Sequence, residues 1–184
     1  GETIAHFNTT RIVRLDPTDP VDVSKAEVEA RKQIIEIMDF LKQYPAFEEA
    51  ILVSSATSIG VRESRKLKGV HILNAQELKD CTRFEDSIAL GNYDIDIHNP
   101  EGTGTSHYYF APGDYYTIPY RCFYSKDIVN MFMAGRNISV SHIALGTVRV
   151  MRTTAMMGEV VGMAATICRR RKSLPGDVYY SYLE

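Results

Sequence analysis

The sequence lacks several features that would assign it to a functional class at once. Its formal net charge is −2, so no excess of positive charge suggests a nucleic-acid-binding protein. The three cysteines, Cys81, Cys122 and Cys168, are widely spaced and form no Cys-x-x-Cys pair. This spacing argues against a disulfide framework or a zinc site and favours a reducing compartment or incidental thiols. The apolar run 160–168 is too short to span a bilayer, so we expect a soluble chain without a membrane partner.

The length and the first residue set further bounds. A chain of 184 residues with 45% hydrophobic residues is long enough for one good core and short for two. It opens on Gly1 without a signal peptide, which suggests a trimmed chain or a mature fragment whose targeting information lies upstream. The cellular location therefore stays open, with the cytoplasm favoured.

The first half of the chain predicts several strands and one long helix. Ser24 and Glu27 form a capping-box pattern, and apolar residues at three- and four-residue spacing follow it until Pro45 stops the helix. Thr, Ile and Val favour a strand in the first of four predicted strand segments. These strands cover residues 4–14, 50–61, 63–68 and 70–73.

The second half alternates short elements with one long loop. Asn74 is expected to cap a short helix that ends at Lys79, and residues 86–90 are expected to form a helical turn ended by Gly91. Residues 99–114, rich in Gly, Pro, Asn, Ser and Thr, form the longest loop, either an active-site cover or a surface excursion. Strands are predicted at 94–98, 115–124 and 131–134, and a final helix at 147–171, so the expected fold class is α+β.

The predicted strand at 131–134 feeds a glycine turn, Gly135-Arg136, and the final helix opens near Gly146-Thr147. In α/β proteins, such a strand–turn–helix binds phosphates or the polar ring edges of nucleotides and flavins. The unpaired N–H groups and the positive end of the helix dipole meet at that point.

Two arginine-rich segments are candidates for chemistry. In the first, strand geometry places Arg62 and Ser64 on one face and Glu63 and Arg65 on the other.

In the second segment, Arg149 and Arg152 are three residues apart and are predicted to share a face in the first turns of the last helix. Cations at a helix N-terminus oppose the dipole and need a carboxylate or a phosphate as a partner. An internal salt bridge of Arg62 or Arg149 with Glu63 or Asp96 and a ligand-facing role are equally open.

Histidines supply the other candidates. His142 precedes the last helix in a polar turn, where it is either a hydrogen-bonded structural residue or a functional one. His98 and His107 flank the long loop near Asp96, but their spacing matches no established metal motif, so no metal site is predicted. Neither a Gly-x-Ser-x-Gly elbow nor a Cys/His pairing suggests covalent catalysis.

The succession of these motifs closely resembles the C-terminal portion of FAD-dependent oxidoreductases with a glutathione-reductase-like flavin domain. The likeness covers most of the chain, including Asn8-Thr9-Thr10-Arg11 and the long first helix. The specific feature is the order of the motifs: Gly60-Val61-Arg62-Glu63-Ser64-Arg65, Tyr93 to Gly102, Ile118-Pro119-Tyr120-Arg121-Cys122, Ala134-Gly135-Arg136-Asn137-Ile138-Ser139, His142, Ala144-Leu145-Gly146 and Val148-Arg149-Val150-Met151.

The resemblance implies FAD as the cofactor and hydride transfer between a small-molecule substrate and the flavin as the reaction. It also implies that the last helix points its N-terminus at the pyrimidine edge of the flavin, where a reduced flavin carries negative charge. The implied flavin contacts are Gly135, Arg136, Gly146, Thr147 and Val148. The implied groups that orient an anionic substrate and move a proton are Arg62, Arg65 and His142, with His98 a weaker candidate.

One family feature is missing from the sequence. The Gly-x-Gly-x-x-Gly fingerprint that binds the pyrophosphate is absent, and Gly102-Thr103-Gly104 opens no convincing helix. The expectation is a C-terminal part of a larger enzyme, inactive alone, whose partner is its own N-terminal FAD-binding portion and which self-associates through uncovered apolar faces. The alternative is a non-catalytic binding or structural domain on the same scaffold.

The resemblance also implies a division of the chain. Residues 1–128 would be the remainder of a substrate domain, and residues 129–172 would be the closing strand–turn–helix of the flavin domain. Residues 173–184 would be a tail.

Overall fold

The structure is a computed structural model that describes residues 3–98 and 104–178, with His98 described for its backbone alone. The described residues fall into two units, which divide between Val61 and Arg62. The predicted tail beyond residue 178 and the start of the predicted 99–114 loop lie outside the described residues.

Helix α1, Pro20–Leu41, is the main element of the first unit. The Asp19 side chain caps it by accepting from Val21 N at 2.9 Å, and Pro20 occupies the first turn, where its missing N–H leaves nothing unsatisfied. The predicted start at Ser24 is therefore wrong. Ser24 lies inside the helix, and its hydroxyl donates to Pro20 O.

The two strands predicted in this unit, 4–14 and 50–61, are also wrong, because neither segment pairs with another strand in the part of the chain that is described. The side-chain amide of Gln33 on α1 takes the place of a strand partner for Arg11, bonding both its N–H and its C=O. Ile51 and Val53 stay 80% and 75% exposed. High β propensity forms a strand only where a partner supplies the ladder hydrogen bonds.

Within the described ranges, the second unit contains two small antiparallel sheets and three α-helices. The predicted helix with Asn74 as its cap is confirmed as α2, Ala75–Lys79, with a full capping box to Glu77. Strand β1, Ser87–Gly91, pairs with β4, Tyr116–Pro119, and β2, Ile95–His98, pairs with β3, Thr105–Tyr108. The strand predicted at 94–98 is confirmed in β2. The strand predicted at 115–124 forms only in part: β4 ends at Pro119, and a 3-10 turn follows at Tyr120–Cys122.

The helical turn predicted at residues 86–90 is wrong, because this segment forms β1. Ala89 is buried in the core and is paired with Ile118 of β4. Cross-strand pairing therefore overrides a local turn pattern.

Residues 63–73 form single bridges rather than the two predicted strands. Leu73 bridges Val140, and Gly69 bridges Ser125. A Cβ at Gly69 would lie 2.8 Å from Arg121 O, so only glycine permits this approach. The strand predicted at 131–134 is likewise a single bridge, between Phe132 and Tyr124.

The single helix predicted for residues 147–171 is two helices. Helix α3, His142–Val148, is capped by the Ser141 side chain, and α4, Met151–Arg171, begins after an extended Val150. Helix α3 is buried from Ala144 to Val148, and a Cβ at Gly146 would lie 2.9 Å from Asp96 O. This close docking on β2 fixes the direction of α3, so the chain turns before α4 begins.

The main core of the second unit lies between the β1–β4 sheet, α3 and the start of α4. Its fully buried large side chains include Leu73, Leu78, Tyr116, Ile118, Phe123, Ile138, Leu145, Val148 and Met157. Mixed helices and small antiparallel sheets confirm the α+β class. Among the described helices, none is long and apolar enough to cross a membrane.

Candidate active site

A groove of about 870 Å³ opens on the second unit, between the extended segment after Arg62, the turn at Gly135 and the start of α4. Five cationic side chains and two carboxylates line it, although the whole chain carries a formal charge of −2. A groove of one predominant sign concentrates ligands of the opposite sign. The charged lining residues are Arg65, Lys66, Lys68, Arg136 and Arg149, with Glu63 and Asp127.

The turn at Gly135 forms one wall of this groove. Gly135 has φ +95°, and no heavy atom lies within 4 Å of the position that its Cβ would take. The Arg136 side chain is exposed beside it, and the buried Asn137 Oδ1 finds no hydrogen-bond donor among the described residues. A positive φ, open space and an orphaned acceptor together leave backbone and side-chain polar groups available to a ligand.

The other three predicted flavin contacts lie elsewhere in the unit. Gly146, Thr147 and Val148 are buried in α3 and do not line the groove. Thr147 Oγ1 bonds Tyr116 OH at 2.9 Å and donates to Tyr93 O. The helix start expected near Thr147 is wrong, since α3 begins at His142 and α4 at Met151. A flavin role for these three residues stays a prediction.

Arg62 and Arg149 converge on one carboxylate, Asp96 on β2. The distances to Asp96 Oδ2 are 3.7 Å from Arg62 Nη1 and 3.4 Å from Arg149 Nη2. The internal ion pair that the sequence left open is therefore present. Burial, followed by the nearby Arg62 charge, lowers the pKa of the Arg149 guanidinium.

Arg149 and Arg152 do not share a helix face as predicted. Arg149 caps the C-terminus of α3, where a cation favours the dipole, and Arg152 lies in the first turn of α4.

Glu63 connects the groove to His142. It accepts a hydrogen bond from Lys66 Nζ at 2.5 Å and another from His142 Nδ1, a partner that strand alternation did not indicate. Partial burial alone would raise the pKa of the Glu63 carboxyl, but the bonds from Lys66 and His142 outweigh it and lower the pKa. An ionised Glu63 can only accept, so the Nδ1 of His142 is the donor in this pair.

The remaining candidates are placed as follows. Arg65 is exposed and lines the groove. His142 bonds Glu63, which lines the groove. Arg62 contacts Asp96, which also contacts the lining residue Arg149. His107 Nδ1 lies 3.8 Å from Asp96 Oδ1. The side chain of His98 is outside the described residues. Within the described ranges, no group of three His, Cys, Asp or Glu side chains could hold a metal ion.

Three residues that line the groove were not predicted as site residues from the sequence: Asn137, Lys66 and Lys68. Asn137 directly follows the Gly135-Arg136 turn, so its position next to the proposed contacts was the available indication. Lys66 and Lys68 continue the every-second-residue spacing that starts at Arg62, but the strand that this spacing predicted does not form.

Comparison with known families identifies the class of protein. The sequence model of the FAD-dependent oxidoreductase family matches residues 2–184, and the chain belongs to this family. FAD is therefore its cofactor and oxidation–reduction its general chemistry. Comparisons with curated proteins and with solved structures gave no match.

Proposed function

We propose that this chain supplies the substrate-side wall of an FAD-dependent oxidoreductase that transfers a hydride between a small anionic molecule and the flavin. The observation that supports this most is the cationic groove, which joins the open turn at Gly135 to the Glu63–His142 pair. Family membership favours this function over a non-catalytic binding or structural domain.

The residues at the turn fit a flavin ring edge. Gly135 offers unobstructed backbone, Arg136 offers a positive charge, and Asn137 Oδ1 lacks a donor that an N–H of the flavin's pyrimidine ring would supply. When bound, FAD supplies the acceptor for the electron pair of a hydride. We propose that Gly135, Arg136 and Asn137 hold that edge of the ring.

The other residues act on the substrate. Arg65 and the neighbouring lysines draw an anionic group into the groove. Glu63 keeps the His142 ring oriented with Nε2 free to accept the proton that leaves the substrate as the hydride departs. Arg62 directly precedes Glu63 in the chain and contacts Asp96.

The chain lacks the pyrophosphate-binding fingerprint, so we propose that tight FAD binding needs an N-terminal FAD-binding portion of the same protein. In this proposal, residues 129–172 belong with that portion, and residues 1–128 belong to the substrate domain. The purified 184-residue chain should be colourless. A stoichiometric yellow flavin band after purification would contradict the requirement.

The placement of the flavin edge is tested by titrating the chain with FAD and following flavin fluorescence. Asn137→Leu should weaken FAD binding about threefold to tenfold, because the hydrogen bond from the flavin to Asn137 Oδ1, worth about 1 kcal/mol, is lost. Ser173→Ala is the matched control, since Ser173 Oγ is also a buried polar atom but lies outside the groove. Equal affinities in the two variants would remove Asn137 from the site.

The role of His142 is tested by the pH dependence of kcat/KM in the enzyme that carries both portions. His142→Gln keeps a hydrogen-bonding side chain but cannot take up a proton, so we expect a loss of about 10²–10⁴-fold and the disappearance of one ionisation from the profile. An unchanged profile would show that His142 only supports the fold.

A further inference from the structure

Asp96 lies between two guanidinium groups that compete for the same oxygen. Arg62 Nη1 and Arg149 Nη2 are 3.7 Å and 3.4 Å from Asp96 Oδ2, and their side chains are 47% and 17% exposed. Direct charge-assisted hydrogen bonds are about 2.7–2.9 Å long. Neither arginine therefore forms a close, two-pronged pair with this carboxylate.

The local charges do not balance. The nearby Glu63 carboxylate is engaged by Lys66 and His142, so Asp96 is the carboxylate that faces the two arginines. His107 adds no negative charge on the Oδ1 side of Asp96. Among the described residues, the two guanidinium groups therefore exceed the facing carboxylate by one positive charge in a partly buried place, and a further monoanion would stabilise it.

Arg149 links this cluster to the groove, because it lines the groove and also contacts Asp96. An anion that enters the groove can therefore reach Arg149 and, beside it, the half-exposed Arg62. A guanidinium matches the two coplanar oxygens of a carboxylate. A phosphate group, with about −1.5 to −2 charges, would overcompensate a single excess positive charge.

We infer that Arg62 and Arg149 form the subsite for a carboxylate group of the substrate, and that Asp96 is the internal counter-ion which this carboxylate displaces from Arg62. The inference rests on the proposed function, since it treats the groove as the substrate site. It adds the chemical class of the substrate, a carboxylic acid, and assigns Arg149 and Asp96 to its recognition.

The test is a titration of the ¹⁵N-arginine-labelled chain with benzoate at constant ionic strength, without FAD, following the side-chain N–H signals of Arg62 and Arg149. Both signals should shift and saturate with one affinity. Arg62→Ala should weaken benzoate binding about tenfold, because a charged hydrogen-bond donor is lost. Asp96→Asn should tighten binding about threefold to tenfold, because the competing carboxylate is gone. Arg170→Ala, an exposed cation near the end of α4, is the control and should change nothing.

The opposite signs of the two variants make the test decisive. Weaker or unchanged benzoate binding in a folded Asp96→Asn chain would overturn the displacement, as would inorganic phosphate binding as tightly as benzoate. If Asp96→Asn unfolds, Arg62→Lys serves as the test variant. Lysine keeps the positive charge but lacks the two-donor geometry of the guanidinium, so benzoate affinity should fall about threefold. Full affinity would overturn the subsite. Since FAD is absent, a failed benzoate titration leaves the flavin placement at Asn137 untouched, and a failed FAD titration leaves the carboxylate subsite untouched.

Discussion

Two aspartate–arginine clusters in the described part of the second unit differ in character. Asp86 is 4% exposed and holds Arg121 with two prongs, at 2.9 Å from Nε to Oδ2 and 3.1 Å from Nη2 to Oδ1, and it also accepts the Arg121 backbone N–H. Asp96 holds two arginines with one oxygen and only at 3.4 and 3.7 Å. In the first cluster, one carboxylate and one guanidinium pair closely. In the second, two described arginines share one carboxylate oxygen at longer distances.

The difference shows how a structural ion pair can be told from a binding site. At Asp86, every charge-assisted bond contributes to joining the start of β1 to the turn after β4. At Asp96, the two arginines repel each other, and burial and the Arg62 charge lower the pKa of Arg149. Electrostatic strain of this kind is typical of functional sites, where a ligand supplies the missing charge.

The largest expected effect is on the first cluster. Arg121→Met leaves the buried Asp86 carboxylate without its guanidinium and should lower the free energy of unfolding by about 2–4 kcal/mol. Urea denaturation followed by circular dichroism measures it. A loss below about 1 kcal/mol would mean that the two clusters do not differ in kind.

Removing the acid from the same pair should have a smaller effect. Asp86→Ala lets the Arg121 side chain, already 44% exposed, turn to water, so only the backbone N–H of Arg121 and some packing lose their partner. We expect about 1–2 kcal/mol from the same denaturation measurement. A larger loss of stability than in Arg121→Met would contradict the view that the buried Asp86 carboxylate needs the Arg121 guanidinium more than the guanidinium needs the carboxylate.

The corresponding change in the second cluster should be nearly silent for stability. Arg149→Met removes a partly buried charge that is repelled by Arg62 and bonded only at 3.3–3.4 Å to Asp96. We expect a change in the free energy of unfolding within about 0.5 kcal/mol, because the desolvation of the charge offsets its weak bonds. Destabilisation as large as in Arg121→Met would show that Arg149 is structural.

The smallest expected effect concerns Glu63, beside the second cluster. Its lowered pKa contributes stability that is present above the unfolded value of about 4.3 and is lost as the pH falls through the folded value. Lys66→Met removes the donor that lowers the Glu63 pKa most, so this pKa should rise and the acid-dependent loss of stability should shrink. A ¹³C titration of the Glu63 carboxyl measures the shift. Lys25→Met, which breaks the exposed pair with Asp22, should leave Glu63 unchanged.

Some parts of the site could be predicted because their residues belong to recognisable sequence motifs. Arg62 and Asp96 are both in motifs that resemble the family, and the sequence allowed an ion pair of Arg62 or Arg149 with Asp96, which the structure confirms. The partner of His142 was not predicted. Glu63 lies 79 residues away, and the alternation pattern gives only its face on a strand that does not form.

The sequence by itself determined the features that depend on neighbouring residues or on an ordered set of motifs: the capped helix α2, the strand β2, the α+β class and the family. Tertiary structure alone decided where β1 replaced a helical turn, where the last helix broke at Val150 and which carboxylate the two arginines share. The physical reason is the separation along the sequence between the residues that make each contact. Caps and turns are satisfied within about four residues, whereas cross-strand pairing and the docking of α3 on β2 join residues that are tens of positions apart.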